Sequence, residues 1–282
     1  MKIGVLHPGM MGASVGDALL DAGHTVYWCA AGRSAASRQR AARWQACAEL
    51  GELCDVSEVV ISVCPPDQAL SVANEVVGCG FSGLYVDANA VAPQSAQQIG
   101  ALISQHTDIS YVDGGIIGPP ARSSGSTRLY LSGEQAHAVA EWFEGSLLDA
   151  VAIPGDVCAA SALKMAYAAY TKGSAALLLA VNALAQAYGV GQQLNQEWHL
   201  SQAALPGRSA GAAAGTAPKA WRFEGEMREI ADTFAAVDLP DGFHTAAAEL
   251  YGRMAQFKDQ SGVDLAQVIE QLLRNPAKPS EA

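Results

Sequence analysis

The chain has 282 residues, half of them hydrophobic and 16% charged, a balance that excludes a disordered chain and leaves length for two domains with sizeable cores. Its formal net charge of −11 repels phosphate backbones, so nucleic acid is not an expected partner. No run reaches the roughly eighteen strongly apolar residues of a membrane span, and a strand opens the chain where a signal would be basic, so a cytoplasmic protein is expected.

Residues 2–28 form the first unit. An apolar run of strand length at 2–7 is followed by a glycine-containing turn at 8–12. Apolar residues then keep helical spacing over 13–22, Gly23 and His24 stop the helix, and 25–28 supply a β-branched and aromatic strand. This order makes a βαβ unit. A helix starting at Met10 or Met11 turns unpaired N–H groups toward the turn, and with no side chain on Gly9 or Gly12 a pyrophosphate can approach that positive end closely. Only these two glycines match GxGxxG, because its first position is His7. His7, Pro8, Gly9, Met10, Met11 and Gly12 are the expected dinucleotide contacts; a strand-to-helix turn in another kind of α/β domain is the competing reading.

Enzymes that take NAD usually carry Asp or Glu at the end of the second strand for the ribose 2′-hydroxyl, whereas those taking NADP offer Arg or Ser. No carboxylate lies between Tyr27 and Ala48, while Arg33, Ser34, Arg38 and Arg40 follow the strand. NADP(H) is therefore favoured over NAD(H), with Arg33 and Ser34 as contacts. Ser34 equally suits the N-cap of a solvated helix.

A third buried strand at 59–64 ends at Cys64-Pro65-Pro66-Asp67, which places Cys64 and Pro65 near the dinucleotide at the sheet edge. After a fourth strand at 84–87, Asn89 either bonds the nicotinamide end or caps a turn. Strands at 111–117, 128–132 and 151–154 bring the sheet to about seven, in a doubly wound domain ending near residue 154. The six cysteines have neither CxxC pairing nor a His at zinc-ligand spacing, so reduced thiols and no metal site are expected.

From Asp156 the chain turns to long alanine- and leucine-rich stretches. One helix is expected from an Asp156 N-cap to about Tyr188, stopping at Gly189. Residues 205–218, LPGRSAGAAAGTAP, read as a flexible connection, hinge or lid. Helices follow at 219–237, 241–260 and 265–273, and NPAKPSEA reads as an unstructured tail. The expected fold is thus an α/β Rossmann-type doubly wound sheet domain over 1–154 and an all-α domain over 155–274, joined by a long helix, with a flexible tail at 275–282.

Lys164 is one lysine in an otherwise apolar and aromatic surface of the long helix, two turns from its start. Burial there lowers a lysine pKa toward neutrality and suits it to proton transfer; the alternative is a packed stem whose ammonium reaches water. Tyr167, Ala168 and Thr171 lie at i+3, i+4 and i+7 on the same face, as one wall of a cleft. Trp221, Arg222, Glu226 and Met227, with Arg122 and Arg128, offer groups for an anionic substrate, although Arg222 and Glu226 also suit a surface ion pair. His244 reads as a helix-start histidine.

Five stretches, HPGMMG (7–12), DANAVAP (87–93), DGGIIGPP (113–120), SALKMAYAAYTKG (161–173) and AWRFEGEMREIA (220–231), resemble the β-hydroxyacid dehydrogenase superfamily, which includes 3-hydroxyisobutyrate and 6-phosphogluconate dehydrogenases. The closest likeness is to a branch with its own C-terminal helical domain. The resemblance implies that Lys164 is the catalytic lysine, that Gly118, Pro119, Tyr167 and Thr171 line the substrate, and that the protein is a homodimer whose helices complete the partner's cleft. Two positions depart from the superfamily: Ile117-Gly118-Pro119 stands where Ser-Gly-Gly is usual, and Ala168 where Asn is usual. The implied function is NADP-dependent hydride transfer to or from a small hydroxy or carbonyl substrate in the cleft between the domains. An imine reductase acting on C=N and a non-catalytic NADP-binding sensor are the alternatives.

Overall fold

The computed structural model describes Met1–Arg274; the tail expected at 275–282 lies outside the described residues. The chain divides into two compact units, Met1–Met165 and a second from Ala166 onward.

The first unit is built on eight strands: Lys2–Leu6 (β1), Thr25–Cys29 (β2), Gln45–Cys47 (β3), Val59–Ser62 (β4), Gly83–Asp87 (β5), Ile109–Ile117 (β6), Arg128–Ser132 (β7) and Asp149–Ala152 (β8). They pair in the order β3-β2-β1-β4-β5-β6-β7-β8. Neighbours run parallel except β6 and β7, which are antiparallel. Between the strands lie Met10–Asp21 (α1), Ala35–Arg40 (α2), Leu50–Val56 (α3), Ala69–Gly78 (α4), Pro93–Ile103 (α5) and Ala136–Glu141 (α6). β3 is the strand that sequence reading misses, because Gln-Ala-Cys carries neither β-branched nor aromatic residues.

The sheet is covered on both faces, as parallel sheets require. Val5, Val26, Ile61, Val86 and Leu131 pack with Val15 and Leu19 of α1 and Val139 of α6. On the opposite face Leu6, Val60 and Tyr85 pack with Leu53 of α3, Val76 of α4 and Ile99 of α5. The apolar strand runs and the helical spacing between them therefore produce the doubly wound domain expected.

A long helix, Ala159–Ala187 (α7), starts three residues after the expected Asp156 cap. The Asp156 carbonyl accepts from Ala159 N at 2.9 Å, and the next two amides are satisfied from the sheet. Ala160 N donates to Ser132 Oγ at 3.0 Å and Ser161 N to Asp113 Oδ2 at 2.8 Å. Sheet side chains thus take the capping role given to Asp156, and the first turns of α7 belong with the sheet unit, which extends to Met165 where the sequence suggested 154.

The second unit contains the rest of α7, then Gly191–Ser201 (α8), Leu205–Thr216 (α9), Ala220–Ala235 (α10), Gly242–Arg253 (α11) and Leu265–Leu273 (α12). α8 has no counterpart in the sequence reading, and α9 corrects it: the stretch expected as a flexible connection is helical. Gly207, Gly211 and Gly215 point into open space. Pro206 in the first turn, the alanines, and a tertiary face in which Ala213 is buried and Asn182 Nδ2 donates to Ser209 Oγ at 3.1 Å outweigh the glycine cost. α11 is shorter than the expected 241–260, giving way to a turn of 3₁₀-helix at Ala255–Phe257. Among the described residues no helix is long and apolar enough to cross a membrane.

Candidate active site

The carboxyl edge of the sheet gathers most of the candidate residues. At the β1–α1 turn, His7 takes φ +64°, the left-handed conformation for which this position normally uses glycine. Its carbonyl accepts from Gly9 N at 2.6 Å. A Cβ on Gly12 would lie 2.4 Å from that same oxygen, so only glycine fits there, whereas a Cβ on Gly9 would meet nothing nearer than 3.9 Å. α1 has no side-chain cap at Gly9, so its first N–H groups face the turn and its open Gly9 flank, an arrangement that fits a pyrophosphate. A third glycine, Gly16, lets the Trp44 ring lie against α1, and Trp44 Nε1 donates to Asp17 Oδ1 at 3.0 Å.

The cations after β2 divide by task. Arg38 donates to Ala30 O at 2.8 Å and Arg40 Nε to Pro8 O at 2.9 Å, so these two brace the loops. Ser34 is the N-cap of α2, accepting from Ser37 N. Arg33 differs: its Nε is buried without a hydrogen-bond partner.

A row of polar side chains crosses the sheet in register: Ser62 beside Asp87, Asp87 beside Asp113, Asp113 beside Ser132. All four are fully buried. Asp87 is visible in the sequence as an acid at the last position of a buried strand, whereas Asp113 lies in the middle of β6 and carries no such local signal. Asp87 Oδ1 accepts from Asn89 N at 3.0 Å, while Asn89 Oδ1 accepts from Cys64 N at 2.6 Å and its Nδ2 donates to Ser62 Oγ at 3.0 Å. Asn89 thereby ties the Cys64 loop to β5, with Pro65 exposed beside it. Asp113 receives both Ser161 N and Ser161 Oγ, the latter at 2.6 Å, and fixes the start of α7.

Burial raises the Asp87 carboxyl to about 7, and its Oδ2 has no partner. A carboxyl with a folded pKa above its unfolded value of about 3.9 contributes stability that is complete below that value and is lost as pH rises through about 7. Asp87→Asn should therefore flatten the fall in Tm between about pH 4 and 7 that this group causes. An unaltered slope in differential scanning fluorimetry would place the titration elsewhere.

Lys164 lies one turn beyond Ser161. It is half-buried, and its Nζ donates to Ile116 O at 2.7 Å. Close approach of α7 to β6 depends on Gly115, whose Cβ would fall 2.6 Å from Ala160 O and 3.0 Å from the Lys164 Cβ. The loop that follows turns at Gly118, φ +122°, where a Cβ would meet Ser126 O at 2.4 Å. Thr127 Oγ1 donates to Pro119 O, leaving Gly118 and Pro119 exposed near the lysine. Further along α7, Tyr167 is 49% exposed and Thr171 Oγ1 donates to Tyr167 O at 3.1 Å.

Within the second unit, the side chains considered for a substrate mostly serve packing. Glu226 forms a largely buried ion pair with Lys172, whose Nζ lies 4.8 Å from the Phe223 centroid. Met227 is fully buried. Arg222 lies over Phe223 and Trp221 beneath Lys258. His244 is buried between Phe234 and Phe243, and that burial lowers its pKa.

Residues 2–148 match the family described as the NAD binding domain of 6-phosphogluconate dehydrogenase, and residues 185–254 match a domain of unknown function, DUF1932. An uncharacterized 28.5 kDa protein in the 7S RNA 5′ region of Methanothermus fervidus is 33% identical over 143 residues, 49% of this chain and 52% of that protein, so the chain matches about half of that relative's length. The Mycobacterium tuberculosis 3-hydroxyisobutyrate dehydrogenase, solved with L-serine, has a TM-score of 0.70 at 19% identity over 97% of this chain and 99% of its own. An imine reductase from Myxococcus stipitatus, solved with NADP+, gives 0.57 at 18% over 97% and 100%. At these identities the two likenesses are of fold. With more than half of its length matched by one family model, the chain belongs to the family of the NAD binding domain of 6-phosphogluconate dehydrogenase.

Proposed function

We propose that this NAD(P)-dependent oxidoreductase takes NADP(H) in preference to NAD(H), and that Lys164 is the general acid and base for a small hydroxy or carbonyl substrate. The observation that carries the reading is the placement of Lys164 by the carbonyl of Ile116, on the sheet whose first turn presents the uncapped end of α1. His7 to Gly12 would hold the pyrophosphate, Arg33 the ribose 2′-phosphate, and the Cys64–Pro65 loop, braced by Asn89, would flank the nicotinamide ribose. When bound, the nicotinamide supplies or accepts the hydride.

The chain's own part is orientation and the proton. The Ile116 carbonyl and the Gly115 contact fix where the lysine amine stands, so Nζ can give a proton to the substrate oxygen in reduction and take it back in oxidation. Gly118 and Pro119 border that point, with Tyr167 and Thr171 one and two turns further along the helix. Ile117 favours a second reading. It is buried and has no hydroxyl, which disfavours a carboxylate held in the superfamily's usual way and favours reduction of a C=N bond. A homodimer is part of the proposal; it is supported by Tyr170, Leu177 and Leu184, 68%, 49% and 58% exposed at seven-residue spacing on α7.

The test is a panel of hydroxy acids, aldehydes, ketones and ketone–amine mixtures followed at the nicotinamide absorbance band with both cofactors. Turnover of an alcohol–carbonyl pair with NADP(H) is expected. Amine products alone would establish the second reading, and tight NADPH binding without turnover of any compound would establish a sensor.

A further inference from the structure

Two buried nitrogens at the carboxyl edge of neighbouring strands have no hydrogen-bond partner: Nδ1 of His7, just beyond β1, and Nε of Arg33, just beyond β2. β1 and β2 are adjacent in the sheet, and the guanidinium is near enough for its charge to act on the His7 ring and on the Cys64 thiol. Buried polar groups are as a rule satisfied, and an orphan costs about 1–3 kcal/mol. A second expense sits at the same place. His7 holds φ +64°, a conformation that glycine adopts without strain. The imidazole therefore occupies, against backbone preference, the turn where a dinucleotide fold ordinarily carries no side chain.

The neighbouring cations do not supply the missing partners. Arg38 and Arg40 donate to the carbonyls of Ala30 and Pro8, and Ser34 Oγ is engaged with Ser37. What remains is a neutral ring nitrogen and a cationic guanidinium nitrogen, each without a partner, just outside the ends of β1 and β2. Burial first and the Arg33 charge second lower the His7 pKa to about 4. The ring accordingly stays neutral near pH 7 and has one N–H to give.

We infer that His7 is a specificity-determining residue that donates from Nδ1, alongside Arg33, to a phosphate ester on the ribose of the dinucleotide. The inference rests on the NADP reading above and deepens it. It assigns to the residue in place of the first fingerprint glycine a direct contact with the group that distinguishes NADP from NAD. The ring also explains how the chain recognises a phosphate with one guanidinium where two others serve as loop braces.

The experiment compares His7→Gly and His7→Asn with the wild-type protein. Glycine keeps the positive φ and removes the donor, whereas asparagine tolerates the left-handed conformation and carries Nδ2 the same number of bonds from the backbone as imidazole Nδ1. Dissociation constants for NADPH and NADH, and for 2′,5′-ADP and 5′-ADP as fragment probes, are read by fluorescence or calorimetry, with Tm as the control for folding. For His7→Gly the preference for the 2′-phosphorylated member of each pair should fall by about tenfold, the worth of one hydrogen bond to a charged group. His7→Asn should keep the preference within about threefold of wild type. An unchanged preference in His7→Gly would overturn the inference while leaving the NADP reading intact, as would an equal loss in both variants. A wild-type protein that binds neither dinucleotide, or prefers NADH, would overturn the NADP reading and this assignment with it.

Discussion

Lys164→Ala is expected to lower turnover by about 100-fold or more while leaving NADPH affinity within a few-fold of wild type, the usual worth of a positioned proton donor. The separation of the two effects follows from position. Lys164 stands on α7 beside β6 and donates to the Ile116 carbonyl, whereas the proposed pyrophosphate cradle is the turn between β1 and α1 at His7, Gly9 and Gly12. Loss of the amine should remove a proton transfer without disturbing that cradle. Steady-state rates on the substrate found by the panel, with the affinity for NADPH measured separately, check this. Equal turnover in variant and wild type would take Lys164 out of the mechanism, and a parallel collapse of NADPH affinity would make its role structural.

Gly12→Ala should be as damaging by a different route. Its methyl would fall 2.4 Å from the His7 carbonyl oxygen, which is itself held by Gly9 N at 2.6 Å. The turn must shift or strain, at a cost of about 1–3 kcal/mol for an overpacked site. Melting temperature and NADPH affinity should both fall, the affinity by about tenfold or more. Gly9→Ala is the informative contrast, because its methyl meets nothing nearer than 3.9 Å in the protein. Its Tm should match wild type within about a degree, yet NADPH should bind more weakly, since the methyl would occupy the flank proposed for the phosphates. If Gly9→Ala binds NADPH as tightly as wild type, the pyrophosphate does not lie there.

The sheet domain was legible wherever the signal is local. Residues 2–28 announce strand, turn, helix and strand by periodicity and glycine placement, and the Val59–Ser62 run reads as a strand buried on both faces. β3 was not, since three residues without β-branching form a strand only because β2 lies beside them. Nor was the polar row from Ser62 to Ser132: its members are far apart in sequence and meet only through strand register, a non-local property. The same row explains the late start of α7, whose amides are capped by Asp113 and Ser132 from the sheet. In the helical unit, counting glycines misread α9, because the packing of Ser209 and Ala213 decides that segment. At the site, the glycine missing from the fingerprint was visible as His7, but its left-handed backbone and unpartnered ring nitrogen are features of the folded turn.

Calorimetric titration of the full chain with NADPH and NADH tests the central claim, a dinucleotide resting on the open end of α1, most directly. The account predicts saturable heat with one site per chain, NADPH binding more tightly than NADH, and weaker NADPH binding by Gly9→Ala at unchanged Tm. No heat of association with either cofactor at about millimolar ligand would contradict it.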